Sequence, residues 1–147
     1  MQIKKMTLDD LDDVTLLCGQ LGYPNTLSDV EKRFHQMSGH LDYALFVARS
    51  DANEILGWIQ MNVEPSSLLV VPRAEIAALV VTEKSRSQGV GKALVARAEI
   101  WAQEKNLNLI RVRSGIKRLD AHRFYKREGY ELSKTSNVFV KKRKDST

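Results

Sequence analysis

Apolar residues recur at two different periods along this chain, and the switches between them mark its elements. Ile3 to Lys5 forms a short first strand. Thr7 stands as a helix N-cap with Asp10 three residues on, and Leu8, Leu11, Val14, Leu17, Cys18 and Leu21 then fall on one helical face. Gly22-Tyr23-Pro24 ends that helix. A second helix runs from Leu27 to Met37, with Val30 and Phe34 spaced for one face, and Gly39 stops it. From Tyr43 the pattern becomes that of strands. Tyr43 to Arg49 and Ile55 to Val63 flank an Asp51-Ala52-Asn53-Glu54 turn and predict a hairpin. A Pro65-Ser66-Ser67 loop and a short apolar piece lead to a strand from Arg73 to Val81, whose nearly continuous apolar character predicts burial on both faces at the centre of a sheet. Gly89 to Lys105 returns to helical spacing, with Val90, Leu94, Ala98 and Trp101 on one stripe. Leu109 to Ser114 reads as a strand, Ala121 to Glu128 as a short helix, and Tyr130 onward as closing strands.

The order strand, two helices, three strands, helix, strand, helix, strand predicts an α/β sandwich around a mixed sheet. No repeat, low-complexity segment or linker divides it, so residues 1–147 read as one domain with 141–147 as a flexible basic tail. At 147 residues and 43% hydrophobic, the chain supports a proper core. Its one cysteine, Cys18, lies on an apolar helix face, excludes an intramolecular disulfide framework and fits a reducing compartment. Asp9, Asp10, Asp12 and Asp13 interrupt any signal-peptide core, and no apolar run reaches membrane-spanning length. A cytoplasmic protein without a membrane partner is expected. His35, His40 and His122 lack metal-ligand spacing, so no metal is expected.

The net charge of +5 raises the question of nucleic acid, but Lys141-Lys142-Arg143-Lys144 supplies four of the 23 basic residues. The rest neither stripe a helix nor alternate with exposed aromatics, so nucleic acid is not expected. The excess suits a small anionic ligand. A place for one is the stretch Arg86-Ser87-Gln88-Gly89-Val90-Gly91-Lys92-Ala93-Leu94, between an apolar strand and a helix. Its glycines let backbone N–H groups turn inward together, and the helix start adds unpaired donors and a positive dipole end. A Walker loop is excluded, because Arg86 stands where its first glycine belongs and Ala93 follows Lys92. A dinucleotide fingerprint is excluded by Leu94 in place of its third glycine.

What remains is Arg-x-x-Gly-x-Gly, followed downstream by Ala121-His122-Arg123-Phe124-Tyr125-Lys126-Arg127-Glu128-Gly129-Tyr130. The pair of motifs, in this order, resembles the acyl-CoA-binding loop and the Ala-x-x-Phe-Tyr-x-x-x-Gly-Phe/Tyr helix of the GNAT superfamily of N-acetyltransferases. The resemblance spans residues 73 to 131. It implies a single-domain GNAT fold: a mixed, mostly antiparallel sheet of six to seven strands, about four helices, and a splay between the fourth and fifth strands. It further implies acetyl-CoA as co-substrate. Its pantetheine would pair along Leu79, Val80 and Val81, its pyrophosphate would sit on Arg86, Ser87, Gln88, Gly89, Val90, Gly91 and Lys92, and Phe124 would pack beside it. Many members carry an asparagine after the fifth strand; here Ser114 stands there, able to donate and accept one hydrogen bond.

Acetyl transfer to an amine needs a neutral nitrogen, and an alkyl ammonium with a pKa of about 10.4 must first lose a proton. Glu75, where several members carry a general base, is the candidate acceptor, directly or through a water. The competing reading is a strand-end carboxylate paired with Arg73 or Lys84. Tyr125 matches the family's general acid; the competing reading is a half-buried aromatic. The resemblance implies a small-molecule primary amine as acceptor, with Tyr23 and Asn25 as contacts. The alternatives are a protein lysine or N-terminus, or an acyl-CoA sensor without catalysis. Homodimers are common in the family and leave no mark in this sequence.

Overall fold

The computed structural model describes residues 1–114 and 118–143, in two compact units, Met1–Arg113 and Ser114–Thr147. The first unit runs β1 (Gln2–Lys5), a 3-10 turn (Leu8–Asp10), α1 (Leu11–Gln20), α2 (Leu27–Met37), β2 (Tyr43–Arg49), β3 (Ile55–Glu64), β4 (Arg73–Val81), a 3-10 turn (Glu83–Ser85), α3 (Val90–Glu104) and β5 (Ile110–Val112). The strands lie in sequence order. The first four are antiparallel neighbours, and β5 joins β4 in parallel, with α3 in the crossover.

Reciprocal caps fix the start of the first 3-10 turn, which leads into α1, and the start of α2. The Thr7 amide donates to Asp10 Oδ2 at 2.8 Å while Thr7 Oγ1 accepts from the Asp9 amide at 3.3 Å. Thr26 Oγ1 accepts from the Asp29 amide at 3.1 Å, and the Asp29 carboxylate reaches back to the Thr26 amide. Leu8, expected on the buried face of the first helix, is exposed. It sits in the tighter 3-10 turn, whose three residues per turn rotate it off that face.

Alternation along β3 separates two layers. Trp58 points to the side where Val47, Val80, Met6, Leu11, Val14, Leu17, Val30 and Phe34 form one buried cluster under α1 and α2. Gly57 points the other way, to α3: a Cβ there would stand 2.8 Å from the Val80 carbonyl oxygen and 3.0 Å from Leu94. Only glycine lets α3 come this close to the strand pair. Each fully buried Leu, Ile or Val in such layers stabilises by about 1.5–3 kcal/mol.

Three strand expectations are corrected. β4 is the fourth of five strands, not the centre, and Ala77 within it is exposed. Its apolar run reflects a strand covered along part of each face. β5 is only three residues long. Among the described residues the sheet has five strands rather than six or seven. In the second unit, α4 (Leu119–Arg127) ends at Gly129, whose φ of 92° suits a left-handed helix stop. The described residues from Tyr130 onward then form neither helix nor strand, and Leu132, Val138, Phe139 and Val140 are exposed. Strand propensity in Val138-Phe139-Val140 does not make a strand without a ladder partner.

Candidate active site

The glycine loop has the geometry of an anion cradle. Ser87 and Gly89 both adopt left-handed backbone, with φ of 66° and 82°, turning the chain into α3. Gly89 is the N-cap of α3 with no side-chain cap, and no acidic residue occupies the first turn. The helix's first bond is from the Ala93 amide to the Gly89 carbonyl at 3.0 Å. The amides of Val90, Gly91 and Lys92 therefore precede the helical ladder, as orphan donors at a positive dipole end. Val90 is buried and anchors the turn, whereas Arg86, Ser87, Gln88 and Lys92 are exposed. Gln88 Nε2 donates to the Lys84 carbonyl at 3.4 Å, an exposed contact across the loop.

β4 offers a second set of backbone groups. It pairs with β3 along its length, but its pairing with β5 covers only Ala74 to Ile76. From Ala77 to Val81 the β5-side edge carries no ladder among the described residues, so Leu79, Val80 and Val81 lie on a bare edge. The β3–β4 register also shifts between Gln60 and Met61, leaving Ala77 unpaired opposite them. Such a bulge turns the strand and sharpens the divergence from β5.

Glu75 lies two residues before this edge. The competing partners read from the sequence, Arg73 and Lys84, are not its partners: Arg111, its register neighbour on β5, donates through Nε at 3.1 Å and again through Nη2, both to Oε2. Arg111 Nη2 also bonds Glu64 Oε2, which accepts from Arg73 Nε at 2.7 Å. Arg113 Nη2 reaches Glu64 Oε1 only at 3.9 Å. Burial pushes the Glu64 carboxyl up, but the bonds from Arg73 and Arg111 outweigh it and hold it below its ordinary value. Glu75 also sits in a cross-strand row with Asn62 on β3 and Tyr43 on β2. Asn62 in turn accepts from Gln60 Nε2 at 2.9 Å. The sheet face is thus apolar at the Val47–Trp58–Val80 row and polar at the Tyr43–Asn62–Glu75–Arg111 row.

Arg111, Glu64, Asn62 and Tyr43 were not singled out from the sequence. Their signal was the alternation of polar positions, Gln60-x-Asn62-x-Glu64 and Arg111-x-Arg113, within otherwise apolar strands. The expected acceptor contacts Tyr23 and Asn25 follow α1. Tyr23 is exposed, and Asn25 is already engaged, donating to the Tyr23 carbonyl at 2.8 Å and accepting from Arg33 Nη1 at 2.7 Å. An open depression of about 540 Å³ between Met6–Asp9 and Phe34–Ser38 contains none of these residues. Among the described residues no cluster of His, Cys, Asp or Glu is placed to hold a metal ion.

In the second unit, Tyr125 is flanked edge-on by Phe124 at 5.2 Å and Tyr130 at 5.8 Å between ring centres. The Tyr130 amide donates to the Tyr125 carbonyl at 2.9 Å, closing the turn after α4. Burial pushes the Tyr125 phenol above its ordinary value, and Arg118 only partly offsets this. It therefore keeps its proton at neutral pH. Ser114 Oγ is buried without a hydrogen-bond partner among the described residues, an orphan that a ligand amide would satisfy.

Comparison with known proteins decides the family. A profile described as the acetyltransferase (GNAT) family matches residues 9–130. The chain belongs to the acetyltransferase (GNAT) family. Its GNAT fold is also that of aminoglycoside 6'-N-acetyltransferase AAC(6')-IG from Acinetobacter haemolyticus, at a TM-score of 0.85 and 19% identity over 97% of this chain and 99% of that one. AAC(6')-Iy, solved with the bisubstrate analog CoA-S-monomethyl-acetylneamine, superposes at 0.85 with 18% identity over 97% of both chains. In sequence, this GNAT chain is 39% identical over 80 residues to the aminoalkylphosphonate N-acetyltransferase of Salmonella typhimurium. That match takes in 54% of this chain and spans about half, 52%, of that relative. Among the described residues no helix is long and apolar enough to cross a membrane.

Proposed function

We propose that this chain is an acetyl-CoA-dependent N-acetyltransferase that moves the acetyl group directly to a primary amine of a small molecule. The observation that carries the reading is the arrangement along β4 and beyond it. A carboxylate, Glu75, lies on a polar sheet face; the bare backbone edge Ala77–Val81 follows, and then the uncapped donors of the Arg86–Lys92 loop. The residues fit coenzyme A: bare strand groups suit the pantetheine amides, the loop suits the pyrophosphate, and the orphan hydroxyl of Ser114 suits an amide. The co-substrate supplies an activated acyl group.

The chain's own residues do the rest. Glu75 takes a proton from the acceptor ammonium, directly or through a water. The Val80 or Val81 amide holds the charge that grows on the acyl oxygen. As the nitrogen–carbon bond forms and the carbon–sulfur bond breaks, Tyr125 donates its proton to the departing sulfur, and the second proton that leaves the nitrogen as it becomes an amide restores the phenol. Its raised pKa keeps it in the donor form. Phe124 packs beside the thioester. Tyr23 and Asn25 are contacts for the acceptor.

Thiol release from acetyl-CoA across aminophosphonates, aminoglycosides, polyamines, amino acids and lysine peptides, with calorimetry of coenzyme A on the same sample, tests this. Amine-dependent release that collapses in Tyr125→Phe supports it. Turnover on lysine peptides alone moves the acceptor to protein, and binding without turnover on any amine makes the chain a sensor. In the loop, Gly91→Val is expected to weaken coenzyme A binding more than Arg86→Ala. The reverse order would reject a cradle made mainly of backbone donors.

A further inference from the structure

We infer that Arg111 is the positioning residue of the acceptor site, setting which oxygen of Glu75 meets the incoming amine. The inference rests on the proposed role of Glu75. Both bonds that Arg111 makes to Glu75 end on Oε2, and Oε1 accepts none among the described residues. The carboxylate is therefore pinned through one oxygen and presented through the other. Arg111 is itself braced: Nη2 also bonds Glu64 Oε2, and Arg73 Nε holds that same oxygen at 2.7 Å. The chain Arg73–Glu64–Arg111–Glu75 thus runs from the β3–β4 pair across to β5 and back.

This arrangement does more than neutralise charge. A lysine would serve a charge pair, but the fixed guanidinium fork reaches two carboxylates at once. Proton transfer needs its base within hydrogen-bond reach of the nitrogen, and displacements near 1 Å are costly. The charged groups that face Glu75 are Glu64 on β3, Arg73 on β4 itself, Arg111 on β5 and Arg113 just after it; Tyr43 on β2 shares its row. α1 packs in the cluster around Val80 and Ala78, where its titratable side chain is Cys18. Among these, Arg111 alone bonds Glu75.

The test compares Arg111→Ala, Arg111→Lys, Glu64→Gln and Glu75→Gln in the full chain. Two readouts are used: calorimetry of coenzyme A, which needs no acceptor, and kcat against KM with 2-aminoethylphosphonate as probe amine. Arg111→Ala is expected to leave KM for the amine near that of the parent, because the guanidinium acts through Glu75 and not on the acceptor. It should lower kcat by about 100-fold while coenzyme A affinity stays unchanged. Arg111→Lys keeps the charge and loses the fork, so kcat remains about 10-fold down with KM near that of the parent. Glu64→Gln, which retains shape and one acceptor oxygen, falls between. A loss carried by KM rather than kcat in Arg111→Ala overturns the inference, as does full rescue of kcat by lysine. If Glu75→Gln keeps parental turnover, the fault lies in the role given to Glu75. If Glu75→Gln is inactive and Arg111→Ala is not, it lies in the role given to Arg111.

Discussion

Arginine meets two carboxylates at two places in the first unit, and the two clusters are built to opposite ends. At one, Arg49 bonds Asp10 Oδ1 through Nε and Nη2 at 3.0 and 2.6 Å, Asp13 through Nη2 at 2.9 Å, and the Asn53 carbonyl through Nη1 at 2.9 Å. The second oxygen of Asp10 is taken by the Thr7 amide. Every strong acceptor of that buried aspartate is used, and the cluster ties β2, its following turn and the start of α1 together. At the other, Arg111 pins Glu75 and Glu64 but leaves Glu75 Oε1 unbonded among the described residues. The Arg49 and Asp10 side chains are 9% and 8% exposed; those of Arg111, Glu75 and Glu64 are 22%, 16% and 33% exposed. A saturated, buried cluster holds structure. One left short of a partner at the surface is available for chemistry.

The sharpest way to break this contrast is Glu75→Gln. It should lower turnover by about 10²–10⁴-fold, the range for loss of a general base, with the urea midpoint of unfolding nearly unchanged. A large fall in that midpoint would make the second cluster structural as well. Arg49→Met is the mirror experiment. It strands Asp10 without its partner, and removing one member of a buried pair costs about 3–5 kcal/mol. Chemical denaturation should report that loss, while kcat per folded molecule holds. A third test is smaller and depends on acid. The Glu64 carboxyl lies below its ordinary 4.5 in the folded state because of Arg73 and Arg111, against the pull of burial. Its contribution to stability is therefore complete above that ordinary value and is lost as pH falls through the lower, folded one. For a pair this exposed it is below about 1 kcal/mol. Denaturation curves of Glu64→Gln and the parent, apart at pH 7, should converge in that acid range.

The capped helices and the hairpin were legible because their determinants are local: Thr7 with Asp10, and the Asp51–Glu54 turn between two alternating runs. The glycine loop was legible for the same reason, since Gly89 declares its left-handed backbone by lacking a side chain. Glu75 could be marked, but not its partner. Arg111 lies 36 residues on and meets it through a parallel register that follows a helical crossover, which leaves no short-range trace. The bulge at Ala77 was hidden likewise, because a one-residue shift depends on the facing strand. Val138-Phe139-Val140 is the converse case, strand propensity that meets no pairing partner among the described residues.

Among the described residues nothing pairs with the β5-side edge of β4 from Ala77 to Val81, and this matters outside catalysis. An unpaired row of N–H and C=O groups is a template for any passing strand, and proteins usually cover or twist such edges away. Here the bulge supplies twist, yet the edge must stay open if a ligand is to lie along it. Solubility and ligand binding then draw on the same five residues. The empty protein is expected to be the aggregation-prone one, and coenzyme A, by occupying the missing strand's place, would act as a solubilising partner during storage and refolding.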